Sequence, residues 1–121
     1  LNEWLTLCEE ILTKFKTDNN IPYDYIRYNG DATQLPDTYI TYFMVDDLGK
    51  SWSDNKEKLR SIRIQVSLYY RKKEITLTIP DKIEAAFIAA NFMRIGAGTI
   101  PYQSDTGHYG WRCDFRYFER R

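Results

Sequence analysis

"IRIQVSLYY", residues 62–70, alternates without a break: Ile62, Ile64, Val66, Leu68 and Tyr70 point one way, Arg63, Gln65, Ser67 and Tyr69 the other. A period of two over nine residues is the signature of a β-strand with one face on a core and one face wetter. The rest of the chain has to supply what covers the apolar face. Upstream, "TYITYFMV" after Pro36 and Asp37 is β-branched and aromatic, and reads as a partner strand with both faces partly covered. Downstream, residues 109–117 alternate again. Tyr109, Trp111, Cys113, Phe115 and Tyr117 form an apolar set, with Gly110, Arg112, Asp114 and Arg116 between them.

Two helices supply the cover. In "LNEWLTLCEEILTKFK", residues 1–16, Leu1, Trp4, Leu5, Cys8, Ile11, Leu12 and Phe15 recur at spacings of three and four, and "TDNNIP" stops the run. The second helix is expected over "DKIEAAFIAANFM", residues 81–93, with Thr78 as N-cap, Pro80 in the first turn and "GAG" at 96–98 as its end. A ridge of Ala85, Ala86, Ala89 and Ala90 would let it lie close to a sheet or to its neighbour. "YDYIRY", residues 23–28, suggests a short additional strand before the turn "NGD". The expected architecture is α+β: an antiparallel sheet of about four strands with two helices on one face, a two-layer sandwich. At 121 residues this is a single domain, 1–121. Residues 46–61, "DDLGKSWSDNKEKLRS", are expected to be a long mobile loop between two strands, with Trp52 exposed.

Composition narrows the function. Lys+Arg and Asp+Glu balance at 17 each, which argues against a dedicated duplex-DNA binder. Ten tyrosines are more than a core of this size needs, and surplus tyrosine surface favours protein contacts. Two cysteines make neither a disulfide framework nor a zinc site and are expected as buried thiols in a reducing cytoplasm. No signal peptide and no membrane-spanning apolar run is visible.

"DTGHYGWRCDFRYFE", residues 105–119, contains the residue types of a cysteine nucleophile, a base and an orienting acid. On an extended strand the five steps from His108 to Cys113 cover roughly 16 Å, with the side chains on opposite faces. A nucleophile and its base must come within about 3 Å. "DTGH" therefore reads as the turn that starts the strand, with Gly107 in the awkward conformation. No catalytic, cofactor or metal site is expected, and no phosphate loop, because "GAG" follows a helix.

What remains is a polar strip. Arg63, Gln65, Arg112, Asp114 and Arg116 share the sheet face away from the helices if their strands are neighbours. One reading is a solvated face whose ion pairs contribute little; the other is an intersubunit surface or the lining of a channel.

The order from "TYITYFMVDD" through the long loop to "IRIQVSLYYRK", then the Ala-rich helix, a Gly break and "YQSDTGHYGWRCDFRYFE", resembles the tail terminator (tail-completion, head–tail joining) proteins of long-tailed bacteriophages over residues 36–119. The resemblance implies a non-enzymatic virion protein, made in the host bacterial cytoplasm, that forms a hexameric ring. The ring would cap the tail tube and join it to the head–tail connector, with DNA passing through its lumen unread. No cofactor and no membrane is implied. Arg63, Gln65, Arg112, Asp114, Arg116, Trp52, Asp46 and Asp47 are the expected contact residues. The alternatives are another small neck, minor tail or capsid component, and a stand-alone single-stranded nucleic-acid-binding module using Tyr and Arg on the sheet.

Overall fold

The computed structural model describes residues 3–28, 34–50 and 59–120, without the side chains of 48–50, 59 and 120. Helix α1 (Glu3–Asn19) is followed by β1 (Tyr23–Tyr25), β2 (Thr38–Lys50) and β3 (Leu59–Tyr70). A 3-10 turn over Lys73–Leu77 leads into α2 (Ile79–Ala89), β4 (Met93–Gln103) and β5 (His108–Arg120). The strands form one sheet in the order β1-β2-β3-β5-β4. β1 runs parallel to β2 and every other pairing is antiparallel, so the sheet is mixed and has five strands where about four antiparallel ones are expected.

β3 sits at the centre, and its alternation is reproduced residue by residue. Ile62, Ile64, Val66 and Leu68 have no exposed surface, and each contributes about 1.5–3 kcal/mol by burial. They pack with Trp4, Cys8, Leu12 and Phe15 of α1, Ile79, Ile83 and Phe87 of α2, and Trp111, Cys113 and Phe115 of β5. Both helices therefore lie on one face, as expected. Phe87 stacks on Phe115 at 4.9 Å between ring centroids and closes the α2 side. On the α1 side, Glu9 accepts hydrogen bonds from Tyr42 and from Tyr23, the latter at 2.9 Å. That network ties the three-residue β1 to the helix, which a strand so short needs to stay in place.

Three sequence expectations are corrected. The helix does not run to Met93 and the glycines do not end it. Asn91, at φ 71°, takes the left-handed position, and the Asn91 and Phe92 amides return to Ile88 and Phe87 at 3.0 Å each. This is a Schellman ending, completed by the Phe87–Phe92 edge contact. "GAG" instead lies inside β4, a strand whose composition hides it: glycine and proline are depleted in strands but tolerated at an edge. The alanine ridge is not the packing face either. Ala85 and Ala89 are exposed while Ile79, Pro80, Ile83 and Phe87 are buried, and Thr78 makes no side-chain cap.

The third correction concerns residues 46–61. Asp46–Lys50 and Leu59–Ser61 belong to β2 and β3, which stay paired out to Lys50 and Leu59, with Asp47 and Arg60 joined at 2.8 Å. Cross-strand pairing and an ion pair hold there what polar composition suggested was loop. Only 51–58, Trp52 among them, lie outside the described residues. No helix among the described residues is long and apolar enough to cross a membrane.

Candidate functional site: the open face of the sheet

The face away from the helices divides into two halves. At one end Tyr39 and Tyr69 stack at 5.0 Å, Tyr28 packs on Tyr39, and His108 meets Tyr39 edge-on. The described ends of the connection between β1 and β2, Tyr28 on one side and Leu35, Pro36 and Asp37 on the other, lie here. Two side chains clamp it. His108, fully buried, hydrogen-bonds the Pro36 carbonyl through Nε2 at 2.9 Å and the Thr106 hydroxyl through Nδ1 at 2.8 Å. A carbonyl can only accept, so Nε2 carries a proton. Arg71 donates to the Thr106 and Leu35 carbonyls and to Asp37 at 2.7 Å, which holds the Asp37 carboxyl below its ordinary range. Alternation put His108 on the polar side; only the connection, invisible to alternation, makes it buried.

The same geometry separates His108 from Cys113, whose thiol sits in the core on the opposite face. Burial pushes that thiol up to about 11 and raises the Cys8 thiol as well. The β4–β5 turn follows the expected form, with Gly107 at φ 79° and its amide on the Gln103 carbonyl at 2.7 Å. Among the described residues no group of three or more His, Cys, Asp or Glu is placed to hold a metal ion.

The other half of the face carries the charge. β3 and β5 are neighbours, and the register sets Gln65 opposite Asp114, Arg63 opposite Arg116 and Ser67 opposite Arg112. Asp114 is the hub. Arg63 forks onto its Oδ2 with Nε at 3.0 Å and Nη2 at 2.6 Å, while Gln65 Nε2 reaches Oδ1 at 3.1 Å and Arg112 Nη1 at 3.4 Å. The carboxylate is 5% exposed, whereas Arg63 and Arg112 are 35% and 40% exposed. A buried acid thus fixes the root of a cluster whose solvent-facing part is guanidinium. Such charge-assisted bonds contribute about 1.5–3 kcal/mol each at best, less where the donor is wet. Arg116, next along β5, donates to the Ser61 hydroxyl. The expected residues therefore share one face, with two arginines and a glutamine on one saturated carboxylate and a third arginine beside them on Ser61. The oxygens of Asp114 are already filled by donors, so what the cluster presents to solvent is guanidinium, a surface suited to an acidic partner.

The remaining expected residues divide. Asp46 stands opposite Arg63, in the row that continues to Arg116 and Met93, so it borders the strip. Asp47 stands opposite Ile62, on the helix side, and pairs with Arg60; it does not join the strip. Strand alternation separates these adjacent residues, and the bulge between Met44 and Asp46 makes Asp46 the one on the open face. Ser61 and Gly98 are contributors that the sequence reading missed. A Cβ on Gly98 would stand 3.3 Å from the Arg112 guanidinium, so this glycine leaves room for that side chain to lie across it. The signal was present as two glycines two positions apart, a spacing that puts both on one face of a strand.

No known protein-family model matches the chain, and no curated protein matches it in sequence.

Proposed function

We propose that the chain is a structural subunit of a long-tailed phage virion, a tail terminator or head–tail joining protein that assembles into a ring on the end of the tail tube. The observation that carries this reading is the Asp114-centred arginine cluster on a sheet face that no helix covers. An arginine surface anchored by one buried acid offers register and orientation to an acidic partner more than affinity. The paired β2–β3 hairpin, running past Asp46 to Lys50, supports the reading as an arm able to reach a neighbour. The resemblance in element order over residues 36–119 supplies the assignment to the phage neck.

The nucleic-acid-binding alternative is less well supported. Stacking needs an open ring face, and Tyr39, the centre of the aromatic half, is 6% exposed and sandwiched between Tyr28 and Tyr69.

The test is complementation of a phage lacking this gene, with particles counted by electron microscopy. Wild type restores complete virions. Arg112→Gln with Arg116→Glu folds normally, since both side chains leave the core untouched, and yields separate heads and tails. If the double variant yields complete virions, the arginine cluster is not the joining surface. If loss of the gene leaves normal tails attached to heads, the assignment is wrong.

A further inference from the structure

The aromatic half of the open face holds a cavity that ring assembly leaves unused. It measures about 330 Å³ and lies between the sheet and the chain leaving β1, with Arg27, Tyr28, Tyr39, Thr41, Tyr69 and Gln103 in its lining. Backbone strain shapes its mouth. Ile26 has φ 69°, a left-handed conformation that a β-branched residue rarely takes. Its amide is held on the Tyr42 carbonyl at 2.8 Å, and the Arg27 amide turns back to the Tyr25 carbonyl at 2.7 Å, a γ-turn of the rare, strained kind. Such strain persists where the surroundings fix it, and it concentrates at binding sites. Here it brings the chain over the face, where Tyr28 meets Tyr39 at 5.2 Å.

The floor points to an occupant. Thr41 is 5% exposed and its side chain lines the cavity, yet its hydroxyl has no hydrogen-bond partner among the described residues. A buried hydroxyl left unpaired costs free energy, which a polar group in the cavity removes. Gln103 accepts from the Thr106 hydroxyl through Oε1 at 3.5 Å and keeps its amide N–H groups for the cavity. Among the described residues the lining holds no carboxylate, and its one cation outside the two helices and the arginine cluster is Arg27, exposed and without an acidic partner there.

Each feature narrows the ligand. Sites for small molecules run from about 300 to 1,000 Å³, so this one has room for a single ring system and its substituents, not for a polymer. Tyrosine walls take a flat, polarisable body. A hydroxyl and an amide supply the donor and acceptor that the edge of a nucleobase needs, whereas a sugar, hydroxylated all round, meets only one amide and no carboxylate. The guanidinium at the mouth matches a phosphate. We infer that the cavity is a binding site for a nucleoside monophosphate, with the base against the tyrosines, its edge on Thr41 and Gln103, and the phosphate on Arg27. The site is independent of ring assembly. It also differs from strand binding, because a strand needs a row of open rings, which the sandwiched Tyr39 does not give, while one nucleotide needs one enclosed place.

Titration of the intact chain followed by NMR amide shifts tests it. The probes are adenosine, guanosine, cytidine and uridine 5′-monophosphates, with inorganic phosphate and glucuronic acid for comparison. At least one nucleotide should bind one to one with a Kd below about 1 mM and shift the Thr41, Tyr69 and Gln103 amides. Thr41→Val removes a hydroxyl that nothing in the described chain uses, so it melts as wild type does and weakens binding about threefold or more. Arg27→Gln, at an exposed position, weakens it about tenfold. Phosphate binding as tightly as every nucleotide would reduce the site to one guanidinium, and glucuronic acid binding more tightly than any nucleotide would make it a sugar site; either result overturns the inference. Nucleotide binding that both variants leave unchanged overturns it too, as does the absence of binding at millimolar concentration.

Discussion

The two faces of β5 differ in what holds them. Toward the helices, Trp111, Cys113 and Phe115 are locked among aliphatic and aromatic neighbours, and position is set by shape. Away from the helices, Arg112, Asp114 and Arg116 alternate with them along the same backbone, and position is set by hydrogen bonds to one carboxylate and one hydroxyl. One face makes the fold stable and the other makes a surface. Substitutions on the first should therefore register in stability, and on the second in assembly.

The largest expected effect is on the helix side. Phe115→Ala removes a ring stacked on Phe87 and edge-packed on Phe92, and costs about 3–5 kcal/mol in chemical denaturation. A loss below about 1 kcal/mol would mean the sheet–helix contact is looser than the ring geometry requires.

Asp114→Ala comes next. It strips the acceptor from Arg63, Gln65 and Arg112, and since those donors reach water it costs about 2–3 kcal/mol, with Asp114→Asn costing less. Equal stability for Ala and wild type would show that the hub orders nothing, and the contrast between the two faces would fail.

Cys113→Ala is smaller, about 1–2 kcal/mol, and it carries a pH signature. The folded thiol titrates near 11 against 9.0 for an unperturbed one, so the folded chain holds its proton in a range where the unfolded chain has released it. The unfolded state then binds fewer protons, and stability falls as pH rises between those values, by about 1.4 kcal/mol per pH unit for this group. Below pH 9 the contribution is complete. Melting curves across this range should be flatter for Cys113→Ala than for wild type, and native Cys113 should label slowly at neutral pH. Rapid labelling would place the thiol at the surface.

The smallest expected effect on stability is that of Arg116→Glu. Arg116 stands opposite Arg63, a like-charge pair, so reversing it changes stability by no more than about 0.5 kcal/mol while altering assembly or joining. A fall of several kcal/mol would make the open face part of the structural core.

The difference between the faces also explains what could be read from the sequence. Buried aliphatic alternation is a strong signal, so β3, β5 and the helix side were legible from "IRIQVSLYY" and "YGWRCDFRY". The charged strip was legible as five residues alternating with the core positions of two strands, but not its centre, since alternation does not say which acid sinks between which arginines. Three features were hidden. β4 hid behind its glycines and proline, residues that an edge strand tolerates, one of which, Gly98, makes room for Arg112. The outer β2–β3 hairpin hid behind charged residues that pair with each other across the strands. His108 hid because its burial comes from a segment 72 positions away in the chain. Each is a long-range effect acting on a locally weak signal.

Ring assembly is tested most directly by the molar mass in solution, followed by light scattering over a wide concentration range. The mass should rise from that of one subunit to a single plateau at a whole-number multiple and stay there as concentration increases further. A mass that remains that of one subunit throughout, or that grows without a plateau, would contradict a closed ring.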